Sequence, residues 1–444
     1  MFRPVFLCIV LCGMMLGACA SLPMRISSLR PYTPPAAVTT MKVPYPILLL
    51  HGLGQKADVW DGAATRYFSK DLGLSFGGVL RVVNGAVESS IPGGGDGDFY
   101  VVSFRNPHDS VGAWGRELET CIDHVLAHTG ADRVILIGYS MGGLAARSYL
   151  TKRYSDHHVK RLITVGTPHL GSPFARVWTW KSMMKTCADS SNVVLSPICR
   201  AALATLQGTE GDVPYDAPAV RDLRRPEDGG VYLRRLGKLA HPMDIEYVSV
   251  IGELDMFAEA RKLSEGWIQD ILRRAIGAVG SGLPALFETG DGVVSARSQD
   301  IMNIEYFTVD PVRRRATRTV NVGSVHVEHL RQSFEIQRVA LDEKAEYKGS
   351  EVCRIGDRPF LVVSFTDHIP SLCALRIDLT TDAGERTILN ADASTAVLVR
   401  TPSGMESRFI VPLDTVPSAL TSTTHLRIAI TNTFGHVVTA TKDW

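Results

Sequence analysis

The chain has 444 residues, 45% of them apolar, and a formal net charge of +1. That length exceeds one ordinary domain and suits two or three, with enough apolar side chains for a sizeable core. A near-neutral balance without a basic face excludes the usual electrostatic footprint of a nucleic-acid binder, and the short run Arg313-Arg314-Arg315 reads as a solvated loop.

Residues 1–18 read as a processing signal. Arg3 gives a positive start, and Val5 to Leu16 is an apolar stretch too short for a confident membrane-spanning helix. Leu16-Gly17-Ala18-Cys19 then resembles a bacterial lipobox. The resemblance implies that Cys19 is the first mature residue and carries lipid, and that Ala20 after it favours the outer membrane. A multi-chain anchor of that kind gives stable membrane attachment. Residues 19–45, rich in Pro, Ser and Thr, read as a tether. In an oxidising compartment Cys187 with Cys199, and Cys353 with Cys373, are expected as local disulfides, while Cys121 reads as a buried thiol. No spacing suggests a structural metal site.

From Pro46 the pattern alternates strand and helix. Ile47–Leu50, Phe99–Phe104, Val134–Ile137, Leu162–Val165 and Tyr247–Ile251 read as strands. Ala113–His128 and Leu144–Leu150 read as helices. The expected fold is α/β, a mostly parallel sheet covered on both faces. Residues near 173–243, including Trp178 and Trp180, and near 256–289 interrupt the alternation as insertions that cover or shape a site. Residues 46–345 form the expected catalytic domain. Residues 350–444, with short alternating runs such as Phe360–Phe365 and Leu426–Ile430, read as an antiparallel β-sandwich-like accessory domain.

Gly138-Tyr139-Ser140-Met141-Gly142 lies between a buried strand and a helix. A tight turn there needs small residues on both sides of Ser140 and exposes its hydroxyl at a helix N-terminus, where negative charge is stabilised. Residues 46–341 resemble the lipase and esterase branch of the α/β-hydrolases. The resemblance rests on this pentapeptide, on His51-Gly52-Leu53-Gly54, on Thr167-Pro168-His169-Leu170-Gly171-Ser172 and on Gly290-Asp291-Gly292-Val293-Val294, in that family's order. It implies Ser140 as nucleophile, Asp291 as acid, His326 as base, and the backbone N–H groups of Leu53 and Met141 as an oxyanion hole. Asp255 is the alternative acid. His329 is the alternative base, and the unused histidine is expected to be a surface residue at a helix start. His51 is expected to shape its loop by hydrogen bonding. The implied activity is hydrolysis of lipid-like carboxylic esters through an acyl-enzyme, with no cofactor and no metal. A thioesterase, amidase or acyltransferase using the same residues, and a non-catalytic envelope-binding lipoprotein, remain open alternatives. The expected partners are an ester or lipid substrate and the membrane that holds the anchor.

Overall fold

A computed structural model of the chain describes residues 29–36, 41–92, 96–175, 216–253, 293–324, 333–381, 384–391, 396–402, 404–413 and 425–443, with 188, 189, 196, 200, 213, 214, 290, 291, 326 and 329. The expected signal at residues 1–18, Cys19, Cys187 and Cys199, Trp178 and Trp180, Asp255, and all of 256–289 lie outside the described residues.

Residues 47–322 build one eight-stranded sheet from β1 (Ile47–Leu50), β2 (Phe76–Val83), β3 (Ala86–Ser89), β4 (Phe99–Val102), β5 (Val134–Tyr139), β6 (Val159–Val165), β7 (Glu246–Gly252) and β8 (Thr317–Val322). Its order is β3-β2-β4-β1-β5-β6-β7-β8, and every pairing is parallel except β2 with β3. Helices α1 (Val111–Thr129) and α2 (Met141–Lys152) cover one face, and α3 (Ser333–Leu341) lies on the other. Continuous apolar strands follow from this double cover. Leu48 and Leu50 of β1 pack with Trp114, Leu118 and Ile122 of α1. Their neighbours Ile47 and Leu49 point the other way and share a core with Ile336 and Val339 of α3. Helix α1 starts where the Ser110 hydroxyl accepts from Ala113 N (3.2 Å) and stops at the left-handed Gly130.

Buried Asp98 secures the approach to β1. Its carboxylate accepts from Lys42 N (2.6 Å), Val43 N (3.2 Å) and Ser75 N and Oγ (2.8 Å each). The basic run has a structural use: Arg313 and Arg314 donate to the carbonyls of Tyr306 and Phe307, which end a short helix.

The last hundred residues form two antiparallel four-stranded sheets. They comprise β9 (Glu346–Ile355), β10 (Arg358–Thr366), β11 (Ala374–Thr381), β12 (Gly384–Ala391), β13 (Ala396–Thr401), β14 (Gly404–Pro412), β15 (His425–Thr431) and β16 (Val437–Asp443), in the orders β13-β14-β10-β9 and β12-β11-β15-β16. Leu361, Val363 and Phe365 from one sheet meet Leu375, Ile377 and Ile428 from the other. The expected α/β fold with a β-sandwich-like C-terminal part is thus observed.

The expected Cys353–Cys373 disulfide is not formed, and both are buried free thiols. Strand parity explains it. Cys353 stands opposite Phe360, on the face turned away from the sandwich core, whereas Cys373 lies inside that core. Cys121 is also a buried free thiol.

Residues 30–36 cross the outer face of the first C-terminal sheet. Tyr32 N donates to Arg354 O (2.8 Å) at the β9 edge, the Tyr32 ring faces Arg408 of β14, and Arg400 N of the β13 edge donates to Ala36 O (3.1 Å).

Candidate active site

Ser140 sits between β5 and α2 with φ 51° and ψ −123°, a strained backbone for a residue with a side chain. Its N–H donates to Val165 O of β6 (2.8 Å). The turn closes only because its flanks are glycines. A methyl group on Gly138 would stand 2.5 Å from Gly143 Cα, and one on Gly142 would stand 2.7 Å from the carbonyl oxygens of Leu50 and His51. The second contact also places the loop after β1 directly against the turn.

Asp291 and His326 come from loops that precede and follow β8, at the same edge of the sheet. His326 Nε2 lies 3.1 Å from Ser140 Oγ, and Nδ1 lies 2.6 Å from Asp291 Oδ2. An ionised carboxylate only accepts, so His326 carries its proton on Nδ1 and leaves Nε2 free to accept from the Ser140 hydroxyl. The backbones hold the same arrangement: His326 N donates to Asp291 O (2.9 Å), and the Tyr139 hydroxyl donates to His326 O (3.0 Å). Burial pushes the Tyr139 phenol well above its usual range, so it stays a neutral donor.

Asp291 is 1% exposed. Burial alone would raise its carboxyl. Adjacent His326 and hydrogen bonds from His326 and His329 outweigh that and hold it well below the usual carboxylate range. Its Oδ1 accepts from Val293 N (3.0 Å) and Val294 N (2.8 Å). The surrounding loops are tied to it. The Ser172 hydroxyl donates to Val293 O (2.8 Å), and Gln299 binds both backbone groups of Gly252 and the Val294 carbonyl.

His329 departs from expectation. It is fully buried rather than exposed, with Nε2 3.2 Å from Asp291 Oδ2 and Nδ1 2.9 Å from Ser324 Oγ. It lies on the far side of the acid from Ser140, within the same loop as His326.

Asp291, His326 and His329 hold metal-capable atoms within 4.8 Å of one another. Ligands around an ion at about 2.1 Å stand roughly 3 Å apart or more. The 2.6 Å between His326 Nδ1 and Asp291 Oδ2 is a hydrogen bond instead. Both imidazoles point at one carboxylate oxygen, which suits proton donors rather than a shared cation.

Leu53 and Met141 flank Ser140 from two elements. Met141 opens α2, where backbone N–H groups lack helical acceptors. A methyl on Gly52 would stand 3.0 Å from Ser140 Cβ, so the loop carrying Leu53 runs beside the serine. Among the described residues neither the Leu53 nor the Met141 N–H has a protein acceptor. His51 shapes this loop: Nδ1 meets Gly52 O (2.9 Å), Nε2 accepts from Phe104 N (3.1 Å), and burial lowers its pKa to about 4. Neutral His51 therefore bridges β1 and the end of β4. Val213, from the first insertion, lies beside Gly54 on the same side.

His169 belongs to a separate buried group behind the site. Arg147 of α2 donates to His169 Nδ1 (3.2 Å) and to His241 Nε2 (3.3 Å), and burial with that guanidinium holds His169 well below its usual range. Of the residues that shape the site, Tyr139, Gln299 and Ser324 were not singled out from sequence. Tyr139 lies in the pentapeptide around Ser140, where a signal exists. Gln299 and Ser324 carry none.

The model of a family described as alpha/beta hydrolase fold matches residues 45–185. A triacylglycerol lipase of Burkholderia plantarii is 32% identical over 146 residues, which are 32% of this chain and 34% of that protein. A triacylglycerol lipase of Pseudarthrobacter phenanthrenivorans is 32% identical over 137 residues, 30% of this chain and 35% of that one. The chain thus spans about a third of the length of these curated relatives. The crystal structure of a mature Bacillus licheniformis lipase is 17% identical, covers 67% of this chain and 90% of its own, and has a TM-score of 0.37.

Proposed function

We propose, for a chain with the α/β-hydrolase fold and distant lipase relatives, a serine hydrolase that cleaves carboxylic esters of lipid-like substrates. The observation that carries this reading is the hydrogen-bonded chain Ser140–His326–Asp291, with a strained serine at a helix N-terminus. In this mechanism His326 Nε2 takes the Ser140 proton as Oγ attacks the ester carbonyl. Asp291 holds the imidazole tautomer and balances the imidazolium. The Leu53 and Met141 amides receive the oxyanion, each contributing roughly 3 kcal/mol to the transition state. His326 then protonates the departing alcohol and activates the water that releases the acid.

Two features support an apolar substrate: the lipase relatives, and Val213 beside Gly54 in the loop that runs along Ser140. We propose further that Cys19 carries the lipid anchor and that the enzyme works at the cell envelope, from the small residues that precede this cysteine. The test is hydrolysis of p-nitrophenyl esters of increasing acyl length by protein lacking residues 1–19, beside Ser140→Ala, His326→Ala and Asp291→Asn. The expected result is loss of at least about a thousandfold in kcat with Ser140→Ala and His326→Ala. A folded wild type that hydrolyses no ester and takes up no serine-directed phosphonate would sink the hydrolase reading.

A further inference from the structure

We propose that His329 is a positioning residue for this reaction, a second imidazole that holds Asp291 from behind and moderates its pull on His326. The proposal rests on the hydrolase reading above and adds a fourth side chain to its machinery.

The geometry is specific. Among the described residues the Asp291 carboxylate accepts four hydrogen bonds, two at each oxygen. Oδ1 takes the amides of Val293 and Val294, and Oδ2 takes His326 Nδ1 at 2.6 Å and His329 Nε2 at 3.2 Å. The imidazole planes of His326 and His329 cross at 79°, so the two donors approach one oxygen from different directions. Because the carboxylate only accepts, His329 carries its proton on Nε2, and its Nδ1 accepts from the Ser324 hydroxyl at 2.9 Å. Every polar atom of this buried ring is thereby used with the ring neutral.

The fold makes room for this ring. β7 ends in Gly252, where a methyl group would stand 2.6 Å from His329 Cε1 and Nε2. Gln299 holds the Gly252 backbone from both sides and also binds Val294 O beside the acid. The ends of β7 and β8, the acid loop and the His326 loop thus form one hydrogen-bonded unit around Asp291.

The electrostatic consequence has a definite sign. A donor on Oδ2 draws carboxylate charge away from His326, so the imidazolium formed during catalysis is held less tightly. Losing that donor concentrates the charge on the His326 bond and favours protonated His326. Among the described residues the polar groups facing the pair are the Ser140 hydroxyl and Tyr139 phenol from the β5 turn, the Val293 and Val294 amides, and Ser324 behind His329. None of these is a competing charge near neutral pH.

The experiment compares wild type with His329→Ala, His329→Asn and His329→Gln, in full-length protein. It reads the acid limb of kcat/KM against pH and the low-field NMR resonance of the proton between His326 and Asp291. Gln reaches the position of the lost Nε2, whereas Asn is too short. The expected result is an acid limb moved up by about one pH unit in Ala and Asn, with about a tenfold loss of kcat/KM on that limb, and wild-type behaviour in Gln. The bridging proton should move downfield in Ala and Asn alone. If Ala does not fold, the Asn and Gln pair carries the comparison. An unmoved acid limb and proton resonance in a folded Ala or Asn variant, or Gln behaving like Asn, overturns the proposal. The resonance needs no turnover, so an inactive wild type would refute the hydrolase reading while still testing this one.

Discussion

At Ser140 a side chain is held in place at a cost in backbone energy. Its positive φ is strained for any residue with a Cβ, by about 1–3 kcal/mol, and the surrounding turn holds it there. Ser140→Ala keeps the Cβ and so keeps the strain. Ser140→Gly removes both, and should be more stable than Ser140→Ala by about 1 kcal/mol in urea unfolding while remaining equally inactive. Equal stability of the two variants would show that the turn is relaxed in solution. The pentapeptide around Ser140 is readable from sequence because its constraint is steric and local. The choice between His326 and His329 is not. Both stand in one loop, three residues apart, and only the fold shows that one faces Ser140 while the other approaches Asp291 from behind.

Among elements, the contact between β1 and α2 links structure to chemistry. Gly142 lets the first turn of α2 lie against the Leu50 and His51 carbonyls, and that contact registers the Leu53 loop against the serine. Gly142→Ala should push the two apart by a fraction of an ångström. Since a misplacement of about 1 Å can cost about a hundredfold, this smaller shift should cost about tenfold in kcat/KM, and phosphonate labelling of Ser140 should persist at a reduced rate. Full activity in this variant would refute the assignment of the Leu53 loop to the oxyanion. The central strands are legible because both their faces are buried and their apolar runs are continuous. The β2–β3 hairpin is not, since Gly77 and Gly78 interrupt its run and β3 alternates half-buried with exposed residues at the sheet edge. β8 is equally obscure, being a polar edge strand with a sequence of Thr, Arg and Asn. The cysteine pair misleads for a related reason: spacing along the chain does not report which face of a strand each thiol occupies.

In the whole molecule a buried guanidinium lies near one of the places where the eight-stranded sheet and the C-terminal sheets meet. Arg161 of β6 donates to the carbonyls of Val339 (3.2 Å) and Ala340 (2.9 Å) at the end of α3, and pairs with Glu246 (2.6 Å) and Glu343 (3.3 Å). Glu343, in the connection to β9, also meets His368 Nε2 at 2.5 Å. Burial alone would raise the Glu343 carboxyl. His368, Arg161 and Lys160 outweigh it and lower its pKa to about 2 from its ordinary 4.5. A lowered folded-state value means the stabilisation is complete above 4.5 and disappears as pH falls toward 2. Glu343→Gln should therefore be less stable than wild type at pH 7, with the gap closing between those values. With 39% of its side chain exposed, solvent screening keeps that gap to about 1 kcal/mol. A gap that persists unchanged at pH 2 would assign the loss to packing instead.

Residues 30–36 also decide where a pull on the chain is felt. Tension applied ahead of residue 30 meets the Arg354 bridge at the β9 edge, then the Ala36 contact at the β13 edge, before it reaches Met41 and the sheet that carries Ser140. A load from that side therefore falls first on the edge bonds of the sandwich, ahead of the sheet that carries Ser140.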